Sequence, residues 1–227
     1  LANLQKDDGR FVVNHLRMNT SHQEFGTSYF GDKIMFSSTR DYTTPIRRIY
    51  NWTQKPFLNI HIADVKNENL QNITRLKKIN KKFHEGPSTY AEDVNILAFT
   101  RNNYSERSSD GISKLQIFFT SRIDGAWTKP EPFYLNDKEY SVGHPSISKD
   151  GKTMFFASDI PGGKGGVDLY VIKKNYGEEW GQPINLGDVI NTEGDEMFPF
   201  YHEEEGILFF ASNGHFGLGS LDIFYSQ

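Results

Sequence analysis

The sequence predicts an all-β fold, and three observations carry that prediction. Pairs of short apolar strands recur four times along its 227 residues. KIMFSS (33–38), NILAFT (95–100), TMFFAS (153–158) and ILFFAS (207–212) come first; LNIHIA (58–63), LQIFFT (115–120), VDLYVI (167–172) and LDIFYS (221–226) follow, each after a polar or glycine-rich gap. Phe36, Phe99, Phe156 and Phe210 hold the same place in each pair, at intervals of 63, 57 and 54 residues. The composition agrees: 14% of residues are aromatic, with 18 Phe and 11 Tyr, and 20 Gly punctuate the strands, a mix suited to stacked sheets joined by tight turns. Self-similarity at about 40–50 residues, with several strands per unit, marks the blades of a β-propeller. The longer intervals here imply longer loops. The expected architecture is four-stranded antiparallel blades, four of them in this chain.

Each unit opens on a further repeated segment: FGTSYF (25–30), EGPSTY (85–90), GHPSIS (143–148) and MFPFYH (197–202). Small residues and proline suit an innermost strand crowded against the axis. Asp150-Gly151 between β-forming residues is a strong hairpin signal. Blade one turns through Gly31-Asp32 and blade four through Glu203-Glu204-Glu205-Gly206. After the third strands, Trp127 aligns with Trp180 and Pro130 with Pro183, which reads as a ring packed over the turn into an outer edge strand. The blades are expected at about 25–83, 84–140, 141–193 and 194–227. FVVNHLRMNT (11–20) resembles PINLGDVINT (183–192), so residues 11–20 are expected to supply the outer strand of the last blade and close its open edge.

A formal charge of −4 argues against nucleic acid, whose partners are usually strongly basic. No apolar run approaches 18 residues, so no transmembrane segment is expected. The absence of cysteine excludes disulfides, thiolate zinc sites and cysteine nucleophiles. A start at Leu1 without a leader reads as an internal piece, with any targeting signal or anchor lying outside it.

GHPSISKDGKTMFFAS (143–158), GGKGGVDLY (162–170) and GDEMFPFYHEEEGILFFASNGHFGLGSLDIF (194–224) resemble the TolB-type, WD40-like propeller repeats of OmpA-family envelope proteins from Bacteroidota. FGTSYFGDKIMFSSTRD (25–41) and QKPFLNIHIAD (54–64) carry the same resemblance, with blade two the most divergent. The resemblance is to the PorE-type component of the type IX secretion system and spans the whole chain. It implies a periplasmic, outer-membrane-associated protein that serves a secretion or gliding machinery and contacts other envelope proteins. Peptidoglycan would be bound only by a domain outside this chain. Members commonly carry a further blade, so the four blades are expected to be either the whole ring or part of a five-bladed one.

Motifs for chemistry are incomplete. Gly26-Thr27-Ser28-Tyr29-Phe30 lacks the closing glycine of a nucleophile elbow, and His202-Glu203-Glu204-Glu205-Gly206 has glycine where a second zinc ligand belongs. Gly162-Gly163-Lys164-Gly165-Gly166 lacks the remaining residues of a phosphate-binding loop. Asp168 and Asp222 recur at one blade position beside glycine-rich loops, which reads as a carboxylate ordering its own turn through loop N–H groups. No catalytic residue, metal or cofactor is therefore expected, and the chain is read as not an enzyme. The features that break the repeat are the better binding candidates. Arg47, Arg48, Tyr50 and Trp52 lie on the long loop of blade one, and Tyr104 and Arg107 on that of blade two, residue types that dominate protein interfaces. Lys77, Lys78, Lys81 and Lys82 fall where blade one should have its outer strand, and suit an exposed sheet edge. The resulting expectation is a non-catalytic protein-interaction scaffold. The alternative is a carbohydrate-binding or glycoside-processing propeller.

Overall fold

The computed structural model describes residues 14–40, 49–50, 54–67, 69–81, 83–176 and 178–227. Within them there is no helix, and the strands form four antiparallel blades of a β-propeller. Blade one pairs Glu24–Phe30, Lys33–Ser38, Asn59–Lys66 and Asn69–Arg75 in order from the axis outward. Blade two pairs Glu85–Ala91, Ile96–Asn102 and Leu115–Ile123, whose outer edge takes two short strands, Ala126–Trp127 and Glu131–Pro132. Blade three pairs Val142–Ile147, Thr153–Ser158, Asp168–Lys173 and Ile184–Asn185. Blade four has three strands among the described residues: Glu196–His202, Ile207–Ser212 and Asp222–Ser226. A small ribbon of Ile49–Tyr50 with Lys55–Pro56 stands apart in the long loop of blade one.

Two placements differ from the sequence reading. The outer strand of blade one is Asn69–Arg75, earlier than the lysine segment. Asn67 reverses the chain at a φ of 50°, a left-handed conformation that asparagine tolerates better than most residues, so a polar stretch pairs directly with the third strand. Lys77 and Lys78 then sit in the turn that follows. Residues 14–20 carry no strand, while residues 11–13 lie outside the described residues.

The blades hold their third strands with a device that recurs. Asn80 accepts from the Ile60 N–H at 2.8 Å and donates to its carbonyl at 2.7 Å. Asn136 does the same for Ile117 at 2.9 and 2.7 Å, and Asn191 for Leu169 at 2.8 and 2.9 Å. Each side-chain amide thus stands in for one residue of an additional strand, satisfying a backbone N–H that would otherwise be buried unpaired and sharing a carbonyl that also accepts from the Leu76, Phe133 or Leu186 N–H. The recurring aspartates also have a structural task. Asp168 accepts from the backbone N–H groups of Lys164 and Gly165 and from Asn185, and Asp222 accepts from the Gly219 N–H at 2.8 Å.

Hydrophobic packing fills the wedges between consecutive blades. Met35, Ile60, Ile79, Leu97 and Phe99 join blades one and two; Ile117, Phe133, Met154 and Phe156 join two and three; Ala157, Leu169, Ile190 and Phe210 join three and four. The aligned tryptophans sit in these wedges. Trp127 lies 6.2 Å from Phe30 of blade one, and Trp180 6.0 Å from Phe119 of blade two, so each ring ties its blade to the one before. Phe99 and Phe156 are wholly buried, which explains why an aromatic residue recurs there.

Candidate functional site

The inner strands line a channel along the axis. In register they place Gly26, Pro87, His144 and Phe198 at one level, and Ser28, Thr89, Ser146 and Phe200 two residues further on. Each strand is irregular between these levels and its start. Gly26, His144 and Phe198 all take a φ between 53° and 64° there. This left-handed residue leaves a bulge that re-aims its neighbours, as bulges beside functional sites commonly do. Pro87 closes against Gly26, where a Cβ would lie 2.9 Å from the proline ring.

The hydroxyls at the second level tie the blades together. Ser28 Oγ donates to the Ser88 carbonyl at 2.6 Å, Thr89 Oγ1 accepts from the Ile147 N–H at 3.3 Å, and Ser146 Oγ accepts from the Tyr201 N–H at 2.9 Å. In blade four the same place is Phe200. Its ring meets Tyr29 of blade one at 5.8 Å, and Phe198 meets Phe25 at the same distance, so aromatic contact replaces hydrogen bonding across this seam.

Where the inner strands end, the channel opens into a mouth of about 300 Å³, within the range usual for small-molecule sites. Its rim is made by the turns that lead to the second strands: Gly31, Glu92, Lys149, Glu203 and Glu204. Its wall carries Tyr29, Tyr90, Phe200, Tyr201 and His202. Tyr29 is 58% exposed, a large aromatic surface open to a ligand. Lys149 organises one side of the rim. Its backbone N–H donates to Glu203 Oε2 at 2.8 Å and its ammonium to Glu204 Oε1 at 2.7 Å. That hydrogen bond holds the Glu204 carboxyl below the usual range and raises Lys149, keeping both charged. His202 Nδ1 is buried and has no hydrogen-bond partner.

At the opposite end three of the four inner strands begin on a glutamate, buried in Glu85 and Glu196 and half-buried in Glu24. Thr192 gives its N–H and hydroxyl to Glu196 at 2.9 and 2.6 Å, and Thr20 gives the same pair to Glu24 at 3.2 and 2.7 Å. Glu85 is different. It is wholly buried, Oε1 accepts from Arg101 Nε at 3.1 Å and from the Lys81 N–H at 3.2 Å, and Oε2 has no partner. Burial pushes its carboxyl up to about 7, with Arg101 and the Lys81 N–H pulling the other way. Burial pushes the His144 imidazole down to about 4, so it is neutral at ordinary pH.

Of the candidate interface residues, Tyr50 and Tyr104 lie at this second end, away from the mouth. Tyr50 packs edge-on against His84 at 4.7 Å and against Phe57 at 5.6 Å. Tyr104 stacks on Phe83 at 4.3 Å, and burial followed by the charge of Tyr50 raises its hydroxyl above the ordinary range. Both tyrosines thus gather around one short stretch, Phe83-His84, while Arg107 is exposed. Arg47, Arg48 and Trp52 lie outside the described residues, as does Lys82. Sequence reasoning did not single out the mouth. The signal was present in Tyr29, Tyr90 and Tyr201, aromatic at one aligned position in three blades, each followed by a charged turn. Among the described residues no group of His, Asp and Glu is arranged to hold a metal ion, and no helix is long and apolar enough to cross a membrane.

No protein-family model matches the chain, and no curated protein sequence matches it. Solved structures do resemble it. A puromycin-hydrolyzing peptidase from Mycobacterium tuberculosis shares 14% identity at a TM-score of 0.51, covering 91% of this chain and 30% of that one. A thermostable family-43 glycoside hydrolase shares 14% identity at a TM-score of 0.52, covering 93% of this chain and 71% of that one. The chain therefore spans under a third of the peptidase. Identity this low shows a shared architecture. It nevertheless overturns the expectation of a chain that is not an enzyme, because the same architecture carries hydrolases. That expectation took the recurrence of residues as a sign of pure scaffolding. Recurrence reports only how the blades hold together, and says nothing of the non-repeating turn residues at the mouth.

Proposed function

We propose that this chain is a carbohydrate-binding or glycoside-processing propeller whose ligand sits at the axial mouth. The observation that carries this reading is the convergence there of the exposed Tyr29 ring, beside half-buried Phe200, with carboxylates from two non-adjacent blades, Glu92 and Glu203. A sugar ring presents a C–H face that lies on an aromatic side chain and hydroxyls that carboxylates and imidazoles bind. The mouth supplies both kinds of partner. Cleavage of a glycosidic bond asks for two carboxyl groups about 5–10 Å apart across it, and this reading assigns those roles to Glu92 and Glu203, which reach the mouth from opposite blades. The architecture shared with a family-43 glycoside hydrolase supports the reading at the level of the fold.

Calorimetric titration with a panel of methyl glycosides, together with turnover on chromogenic glycosides, tests it. At least one sugar is expected to bind, with binding lost in Tyr29→Ala and any turnover lost in Glu92→Gln or Glu203→Gln. A panel that gives no binding, or a Tyr29→Ala variant that binds as the parent does, would overturn the reading.

The blade motifs that resemble OmpA-family envelope proteins support a periplasmic, outer-membrane-associated setting within a type IX secretion or gliding machinery. In that setting the loops bearing Arg47, Arg48, Tyr50, Trp52, Tyr104 and Arg107 would face envelope partners, and the mouth at the other end would stay open to glycan. Cell fractionation tests this location; recovery of the protein in the cytoplasm would count against it.

A further inference from the structure

We propose that the channel behind the mouth is the inner half of the same site, built to take the uncharged hydroxyl-bearing arm of a sugar, such as the hydroxymethyl group of a neutral hexose. This deepens the carbohydrate reading and rests on it. The channel holds a cavity of about 160 Å³, room for about five water-sized groups at ~30 Å³ each. It shares Ser28, Thr89, Ser146 and Phe200 with the mouth, so the two spaces meet at that level.

Two polar atoms among the residues lining this cavity have no hydrogen-bond partner: Ser88 Oγ and His144 Nδ1. Ser88 is 3% exposed and His144 9%. The neighbouring hydroxyls each make a bond between blades, Ser28 as donor and Thr89 and Ser146 as acceptors, whereas these two buried atoms make none. A buried polar atom without a partner is costly, and a group that supplies the missing bond recovers that cost. His144 is held in place twice over: its φ is 53°, and its ring stacks on Phe198 at 4.1 Å.

The chemistry of the lining selects the ligand. Every residue around the cavity is uncharged: glycine, proline, serine, threonine, phenylalanine and the neutral His144. A carboxylate or ammonium entering would lose its hydration without meeting an opposite charge. A hydroxyl both donates and accepts, so one such group satisfies a serine hydroxyl and an imidazole nitrogen together.

The test compares methyl glycosides of glucose, galactose and mannose with those of xylose and arabinose, which lack the hydroxymethyl arm, and of glucuronic acid, which carries a carboxylate in its place. Titrations use the parent, Ser88→Ala and Tyr29→Ala, and the His144 ring nitrogens are followed by NMR. Ser88 Oγ bonds nothing, so Ser88→Ala is expected to keep the fold. At least one hexoside should bind about tenfold tighter than the pentosides and the glucuronide, the value of one well-made hydrogen bond. That preference should vanish in Ser88→Ala, and the His144 signal should move only with the hexoside. Equal binding of all classes, or an unchanged preference in Ser88→Ala with a static His144 signal, overturns the channel site while leaving the mouth intact. Absence of binding by every sugar overturns both.

Discussion

Three seams of this propeller are built to one plan, and the seam between blades four and one departs from it. Where blade one meets two, two meets three and three meets four, an apolar wedge fills the gap and a serine or threonine hydroxyl bonds the neighbouring inner strand. The third strands at these places bury Ile60, Ile117 and Leu169 completely under an asparagine amide. The matching residue of blade four, Ile223, is 80% exposed, and Phe200 stands where the bonding hydroxyl would be. The lesson is a division of labour. Where the repeat is kept, the inner-strand hydroxyls hold blades together; where Phe200 interrupts it, the mouth gains an aromatic face shared with Tyr29.

Removing a clamp should separate the two kinds of seam most sharply. Asn191→Leu leaves the Leu169 N–H buried without a partner, while the Leu169 C=O keeps the Leu186 N–H at 3.1 Å, for a loss of about 1–3 kcal/mol in urea unfolding. Asn19, which precedes blade one as Asn191 precedes blade four, is exposed, and Asn19→Leu should cost under about 0.5 kcal/mol. A comparable loss at both positions would show that the fourth seam is clamped as well.

A second effect comes from two buried groups within the regular seams, with opposite signs. The unfolded chain takes up a proton on histidine as pH falls through 6.5, while His144 resists until about 4; its contribution is complete above 6.5 and is lost toward pH 4, about 3 kcal/mol in all. Glu85 keeps a proton to about 7 that the unfolded chain releases near 4.5, so its contribution is complete below 4.5 and is lost as pH rises through 7. Between pH 4.5 and 6.5 the two slopes cancel. Stability of the parent should be nearly level across this window, and Glu85→Gln should expose a rise of about 1.4 kcal/mol per pH unit. A level profile in Glu85→Gln would contradict this account.

The inter-blade hydroxyls give the smallest changes. Ser146→Ala strips the Tyr201 N–H of its partner and should cost about 1–2 kcal/mol. Tyr29→Ala, on the irregular seam and largely exposed, should cost under about 0.5 kcal/mol while removing sugar binding. The comparison fails if Tyr29→Ala proves the more destabilising of the two in the same unfolding assay.

The strands were legible because they alternate or run apolar in a recurring unit, and Asp150-Gly151 announced its turn, with Gly151 at a φ of 71°. The outer strand of blade one was not, because Asn69-Leu70-Gln71-Asn72 is too polar to read as a strand before its partner is known. The asparagine clamps were visible only in hindsight. Their offsets from Ile60, Ile117 and Leu169 vary with loop length, and an amide that bonds backbone leaves no hydrophobic pattern. The mouth escaped notice for a related reason: its carboxylates come from turns of different blades, and only the ring closing around the axis brings them together.

The most direct test of this division of labour is a chemical-shift map of the protein titrated with a neutral methyl hexoside. Signals of Tyr29 and Phe200, with the amides of Gly31, Glu92, Lys149 and Glu203, are predicted to move together, while those of the regular Phe119–Trp180 contact and of Tyr50, His84 and Tyr104 stay in place. Shifts centred on Tyr50, His84 and Tyr104, with the mouth unmoved, would contradict the account.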